Sequence, residues 1–468
     1  MNSVDLAFTS ALDQAKLIRN KEVSPIELTQ LYLDRIEQFN PRLGSFYTVM
    51  RDQAIAAAQA KTEQLSEFEL PPFHGVPIAI KDLNAVEGIP CSYGLKVAKK
   101  RLANRDDLVV TKLKAAGFIL LGKTATSQLG SFPYTEPPGF PPARNPWNLD
   151  YTPGGSSGGS SSAVAAGLCA IAQGSDGGGS VRGPAACCGL VGLKPSRGRI
   201  SMAPIGEAFS GFAVSGVLSR TVTDAAAFLD MTEGYVTGDP YWLPSPDTSF
   251  LDATQQDLEP LRIGLVTEIQ PVGKADPDYL EAVIKTARLL EGMGHVIEEF
   301  TPDLGEMIEP FAVAWRNQVD VGVPPFFLEK VNRALWWRAK FTSGSRLVRS
   351  QHQLQMFARK VVQMFDQFDV LLTPTYMHPT IRVGEWKHLS PMRTIDEIIK
   401  WIAPCPAFNV TGQPGISLPA GFDQNGLPIG IQLVGRPAGE ATILALAAQL
   451  EAAQPWAHLR PEAFSASS

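Results

Sequence analysis

The chain has 468 residues, 44% hydrophobic and 19% charged, with a formal net charge of −6. That is a globular composition with ample apolar residues for a large core. The negative balance and the lack of any long Lys/Arg run exclude a nucleic-acid surface and weigh against anionic membranes.

Residues 5 to 68 carry helical periodicity. Within them Ser24-Pro25-Ile26-Glu27 reads as a capping box with proline at the first helical position, leading into LTQLYLDRIEQF. From 73 to about 240 the texture changes to short apolar runs separated by glycine. VPIAI and FILL read as buried strands and SSAVAAGLCAIA as a core helix. The most apolar segment, residues 163–172, has only about half the length that a bilayer span requires. Residues 261–298 read as strand, helix, strand, a βαβ-like unit. Residues 306–365 are helical and rich in aromatics, Trp336 and Trp337 among them. DVLLTP, GISLPAG and IGIQLVG follow as strands, the last two joined by the turn Asp423-Gln424-Asn425-Gly426. A helix from about Glu440 closes the chain. Strands and helices alternate throughout with no internal repeat, which predicts an α/β protein.

Thr152 to Ser162, TPGGSSGGSSS, admits three readings. A flexible linker would separate two self-contained halves, yet the glycine-rich texture runs on to Gly192, so the stretch lies inside a domain. Gly154 to Gly158 matches the G-x-S-x-G nucleophile elbow, but the upstream NPWNLDYTP is loop and not the strand an elbow needs. None of the six histidines sits in a recognisable setting for a base. The third reading is a rigid loop whose backbone and hydroxyls do chemistry. Gly117 to Thr124 matches the Walker A pattern, but its four intervening residues are themselves the FILL strand, so no phosphate cradle is expected.

The chemical reading gains from a second glycine–serine site, GSDGGGSVRGPA, in which Ser180 ends a glycine triplet. Consecutive glycines leave backbone N–H groups unobstructed, as an oxyanion hole requires. Upstream, GVPIAIKD puts Lys81 at the end of an apolar strand, and strand alternation turns Asp82 to the opposite face. The five cysteines (Cys91, Cys169, Cys187, Cys188 and Cys405) are odd in number and lack ligand spacing, so reduced thiols, no metal and a cytoplasmic location are expected. The first residues, MNSVDLAFTSALDQ, have neither a basic start nor an apolar core, so no signal peptide is expected.

Together these blocks resemble the amidase signature family: GVPIAIKD, GKTATS, RNPWNLDYTPGGSSGGSSSAVAAG, GSDGGGSVRGPAACCGLVGLKPSRGRIS and FNVTGQPGISLPAGFDQNGLPIGIQLVG. Lys81 and Ser156 are 75 residues apart and Ser156 and Ser180 are 24 apart, as in the family. The final Gly-Gly-Ser is preceded by Ser175-Asp176-Gly177 where the common form has Thr-Asp-Thr or similar. With Thr135-Glu136-Pro137 upstream, this looks most like the branch of 6-aminohexanoate cyclic dimer hydrolases.

The resemblance implies a single α/β/α sandwich around a mixed β-sheet. It would comprise an N-terminal helical region (residues 1–70) packed on a core (71–468), with 300–400 as a variable, substrate-shaping segment. It implies a Ser–Ser–Lys triad of Ser180 as nucleophile, Ser156 as bridge and Lys81 as base, with a cis peptide bond between Gly155 and Ser156. Gly177, Gly178, Gly179 and Ser180 would form the oxyanion hole, and Ser157, Asp176 and Arg182 would brace the loops. The activity implied is hydrolysis of a carboxamide C–N bond through an acyl-enzyme, with no cofactor. The alternatives are the A subunit of a tRNA-dependent amidotransferase, whose basic, glycine-led motif residues 325–365 do not resemble, and a non-catalytic amide-binding protein. The partner expected is a small-molecule amide, with no nucleic acid and no membrane; a homodimer is compatible. Tyr134, Trp315 and Cys405 are assigned to the pocket lining, within loops 130–140, 202–212, 310–325 and 376–386.

Overall fold

The computed structural model describes residues 2–66 and 69–465. One mixed sheet of eleven strands runs through it. In chain order these are β1 (Phe46–Val49), β2 (Pro77–Lys81), β3 (Ile119–Thr124), β4 (Ile171–Asp176), β5 (Val191–Lys194), β6 (Val214–Ser219), β7 (Arg262–Leu265), β8 (Val296–Glu299), β9 (Val370–Pro374), β10 (Gly415–Phe422) and β11 (Pro428–Gly435). Their order across the sheet is β1-β3-β2-β4-β6-β5-β10-β11-β9-β7-β8. With helices covering its faces, this is an α/β/α sandwich. Every residue of β2, β3, β5, β6, β9 and β11 is buried, which is why these strands read as continuous apolar runs and not as alternating ones.

β4 runs parallel beside β2, with Ile78 opposite Ile171 and Ala79 opposite Ala172. The C-terminal ends of the two strands therefore open on the same edge, and Lys81 emerges beside Ser175 and Asp176. The β10–β11 hairpin forms as its sequence predicts, with Asp423 N–H donating to Leu427 O across the turn at 2.8 Å. β7 and β8 are parallel around the helix Pro277–Gly292, although a small hairpin (Glu268–Ile269 with Gly273–Lys274) intervenes before that helix. Residues 306–365 form three helices, Gly305–Gln318, Lys330–Lys340 and Gly344–Gln363.

Two segments differ from their sequence reading. The apolar stretch read as one core helix is the helix Gly158–Ala165, a turn and the start of β4. Gly167, at φ +64°, closes a Schellman motif in which its N–H reaches Val164 O and Leu168 N–H reaches Ala163 O. The helical N-terminal region contains the capping box of Ser24 and Glu27 as read, but it also supplies edge strand β1. The helix Pro25–Leu43 ends at left-handed Gly44, and the following Phe-Tyr-Thr-Val pairs antiparallel with β3. Residues 1, 67 and 68 of that region lie outside the described residues.

Arg35 joins the N-terminal helices to the core. Its buried guanidinium donates to Gly167 O (2.7 Å), Ala166 O (2.9 Å) and Phe464 O (2.8 Å), satisfying carbonyls past the end of the helix Gly158–Ala165. Arg35→Met keeps the apolar stem and strands these acceptors. It is expected to cost about 2–5 kcal/mol of stability in a urea denaturation series. An unchanged midpoint would show that the N-terminal helices are held by other contacts.

Candidate active site

Lys81 is the last residue of β2 and is fully buried. Its Nζ lies 2.8 Å from Ser156 Oγ, 3.0 Å from Ser175 Oγ and 3.1 Å from Ser175 O. Among the described residues no carboxylate bonds to it. Burial drives its pKa down from 10.5 to about 7, against the opposing pull of the Asp176 charge. Asp82, one residue on, faces the other way as alternation requires: it accepts from Lys123 Nζ (3.2 Å), Ser92 N (3.0 Å) and the Ser92 hydroxyl. Lys123 is thus a buried partner of Asp82 within β3, and the Walker-like pattern makes no phosphate cradle.

Ser156 follows a cis peptide bond with Gly155 and is 1% exposed. The glycine is required by close approach: a Cβ there would stand 2.6 Å from both Phe132 O and Tyr134 N. Ser157 N–H donates to Ser180 O at 3.2 Å, which ties the two serine loops together by their backbones. The Ser157 hydroxyl donates to Ser175 O at 3.3 Å.

The second loop is organised around Asp176. Its carboxylate accepts from the N–H groups of Gly179 (2.7 Å), Val181 (3.1 Å) and Arg182 (3.3 Å), and from the guanidinium of Arg182 at 2.9 and 3.0 Å. Burial alone would raise the Asp176 pKa, but the adjoining guanidinium overrides it and holds the group well below the usual carboxylate range. Arg182 continues to Gln432 Oε1 (2.6 Å), Asn409 Oδ1 (2.6 Å) and Cys405 O (3.2 Å), which anchors the loop to the C-terminal part of the chain. Asn409 and Gln432 are absent from the sequence reading. Gly179 already gives its N–H to Asp176, so it leaves the set of expected oxyanion donors. The N–H groups of Gly177, Gly178 and Ser180 have no hydrogen-bond acceptor among the described residues.

Ser156, Ser175 and Gly177 to Ser180 form part of the wall of a cavity of about 330 Å³. Trp315 lies in its wall, as do parts of loops 130–140, 202–212 and 310–325 and, through Tyr376, of loop 376–386. Tyr134 is elsewhere: it stacks on Phe132 at 5.4 Å and lines a separate cavity of about 190 Å³. Cys405 is fully buried behind Gly179 and its thiol donates to Thr375 O at 3.3 Å. The wall also takes Ile398, Ile399 and Ile402 from the helix Pro391–Ile402. Ile395, Ile398, Ile399 and Ile402 repeat at helical spacing, a signal that could have marked this segment. Among the described residues, no three of His, Cys, Asp or Glu converge as a metal site would need, and no helix is long and apolar enough to cross a membrane.

This fold and this pair of glycine–serine loops belong to a defined class. The Amidase family model matches residues 27–444, and the chain belongs to that family as an amidase, a hydrolase of carbon–nitrogen bonds. A protein of Synechocystis sp. named "Putative amidase" is 51% identical over 96% of this chain and 89% of its own length. An acylamidase of Rhodococcus erythropolis is 33% identical over 98% of each chain. Among solved structures, 6-aminohexanoate cyclic dimer hydrolase superposes with a TM-score of 0.91 at 33% identity, covering 97% of this chain and 99% of that one.

Asp176→Asn removes the charge that pairs with Arg182 while leaving the guanidinium fully buried. A loss of about 3–5 kcal/mol is expected by chemical denaturation. A midpoint close to the parent's would mean that Asn409 and Gln432 alone suffice to hold Arg182.

Proposed function

We propose that this amidase cleaves a carboxamide through a relay of Ser180, Ser156 and Lys81 and an acyl-enzyme on Ser180. The observation that carries the reading is the 2.8 Å contact between Ser156 Oγ and the Nζ of a fully buried lysine that has no acid partner among the described residues. A neutral amine has two N–H groups and a lone pair, so with two hydroxyls and a carbonyl around it, one hydroxyl donates to the nitrogen. That is the arrangement a base needs.

In the first half-reaction Ser180 Oγ forms a bond to the amide carbon while its proton passes to Ser156 Oγ. The Ser156 proton passes to Lys81 Nζ. The negative charge on the carbonyl oxygen is met by the unengaged N–H groups of Gly177, Gly178 and Ser180. The C–N bond then breaks, the amine leaves with the proton returned along the relay, and an ester to Ser180 remains. Water attacks that ester by the same relay in reverse order of roles, releasing the carboxylic acid and restoring Ser180. Five unpaired, buried cysteines suit a reducing compartment, which supports a cytoplasmic enzyme.

The lysine fixes the sign of the pH dependence. Below about 7 its amine is protonated and cannot accept, so kcat/KM is expected to rise with pH through about 7 and to level off above it. Lys194, also buried and lowered to about 7, gives its Nζ hydrogen bond to Pro195 O and serves as the control. Lys81→Ala is expected to lower kcat/KM by about 10²- to 10⁴-fold and to abolish the limb, and Lys194→Met to leave the limb in place. Ser180→Ala is expected to abolish both turnover and fluorophosphonate labelling. A Lys81→Ala enzyme with parental kcat/KM and an intact limb would move the base elsewhere.

A further inference from the structure

We infer that the cavity at Ser180 selects amides whose buried portion is uncharged and apolar, and that it discriminates strongly against carboxylate-bearing amides. This rests on the reading of Ser180 as the attacking group. Among the described residues, the lining contains no lysine, arginine or histidine, and its one acid is Asp107. Asp107 accepts from Asn84 Nδ2 and from Ala85 N–H, each at 3.0 Å, both on the same oxygen. A carboxylate entering the cavity would therefore find no cation to pair with and one anion to repel it.

Immediately around the glycine loop the wall is aromatic carbon. A Cβ at Gly177 would lie 3.0 Å from Phe209 Cδ1, and one at Gly178 would lie 3.6 Å from Phe311 Cζ. The two rings meet edge-on at 5.3 Å, with Phe212 packed against both. Substrate atoms next to the attacked carbonyl thus meet ring faces and edges. Farther out the wall continues through Met307, Trp315 and Ile398. Among the described residues, the polar groups next to the glycine loop are its N–H groups, the serine hydroxyls and Tyr376, whose ring lies beside Gly179, and none of these carries a charge. A charge moved from water into such a lining without a partner is heavily penalised, whereas an alkyl or aryl group gains from the transfer. The volume of about 330 Å³ sits at the small end of ligand cavities, which are roughly 300–1,000 Å³, and suits one medium acyl group.

The test is an isosteric pair, 6-methylheptanamide and adipic acid monoamide, in which a terminal isopropyl replaces a carboxylate. The intact enzyme is expected to turn over the neutral amide with a kcat/KM at least about 30-fold higher. A smaller or inverted ratio overturns the inference and leaves the relay standing. If neither amide is turned over, binding of the same pair to Ser180→Ala decides. Tighter binding of the neutral amide by at least about 30-fold sustains the selectivity while Ser180 loses its role. Equal binding, or none of the neutral amide, overturns it. Trp315→Arg, which adds a cation to the wall, is expected to narrow the ratio by at least about tenfold, and an unchanged ratio in a folded variant counts against the cavity as the selecting element.

Discussion

A lysine taken out of water needs either a counter-ion or a lost proton, and neighbouring strands of this sheet use both solutions. Lys123 on β3 faces Asp82 and is paired with it at 3.2 Å. Lys81 on β2 faces two hydroxyls and a carbonyl, and burial pushes it to about 7. The difference follows from the strand's period of two, which sends Asp82 and Lys81 to opposite faces although they adjoin in sequence. Were Asp82 on the same face as Lys81, the amine would keep its proton and lose its capacity to accept one. The register of β2 is therefore as much a part of the site as the side chains it carries.

Asp176 works against that arrangement and is retained for another reason. Its charge pulls the Lys81 pKa upward, yet its carboxylate holds the N–H groups of Gly179, Val181 and Arg182 and the guanidinium of Arg182. By engaging Gly179 it fixes which N–H groups face the cavity and which do not. Arg182 pairs with the carboxylate and also reaches Asn409 and Gln432, while Asn409 Nδ2 donates to the carboxylate at 2.9 Å, so the field of Asp176 is largely answered by a buried cation and an amide. This lets a formal charge brace the loop while the lysine nearby stays poised near neutrality.

The parts of the candidate site legible in the sequence are those marked by a local pattern. Lys81 ends a continuous apolar strand, and Ser156 and Ser180 sit in glycine runs that no ordinary helix or strand would contain. Of the braces, Asp176 and Arg182 are legible from the family resemblance, whereas Asn409 and Gln432 are not. Asn409 and Gln432 meet Arg182 across 227 and 250 residues of chain, and nothing in the local sequence of a buried polar side chain names its partner. Strand β1 and the Schellman turn at Gly167 were missed for a different reason. Each is a short segment inside a stretch whose average composition favours helix, and in each a single left-handed glycine, Gly44 or Gly167, decides the outcome. Tyr134 was assigned to the pocket by its loop, but stacking on Phe132 carries its ring into the adjoining cavity.

The proposed chemistry and the proposed selectivity draw on different stretches of the chain. Lys81, Ser156, the glycine loop and their braces are fixed by strand ends and by polar contacts that leave little room for substitution. Phe311, Trp315, Ile398 and Ile402 come from the helices Gly305–Gln318 and Pro391–Ile402, which touch the cavity mostly through apolar side chains, Gln318 being the polar one. Apolar contacts are non-directional and exchange one side chain for another at modest cost, whereas the hydrogen-bonded floor tolerates no such exchange. The same physical asymmetry lets the wall be remodelled toward another acyl group without disturbing the register of β2 or the grip of Asp176 on the glycine loop.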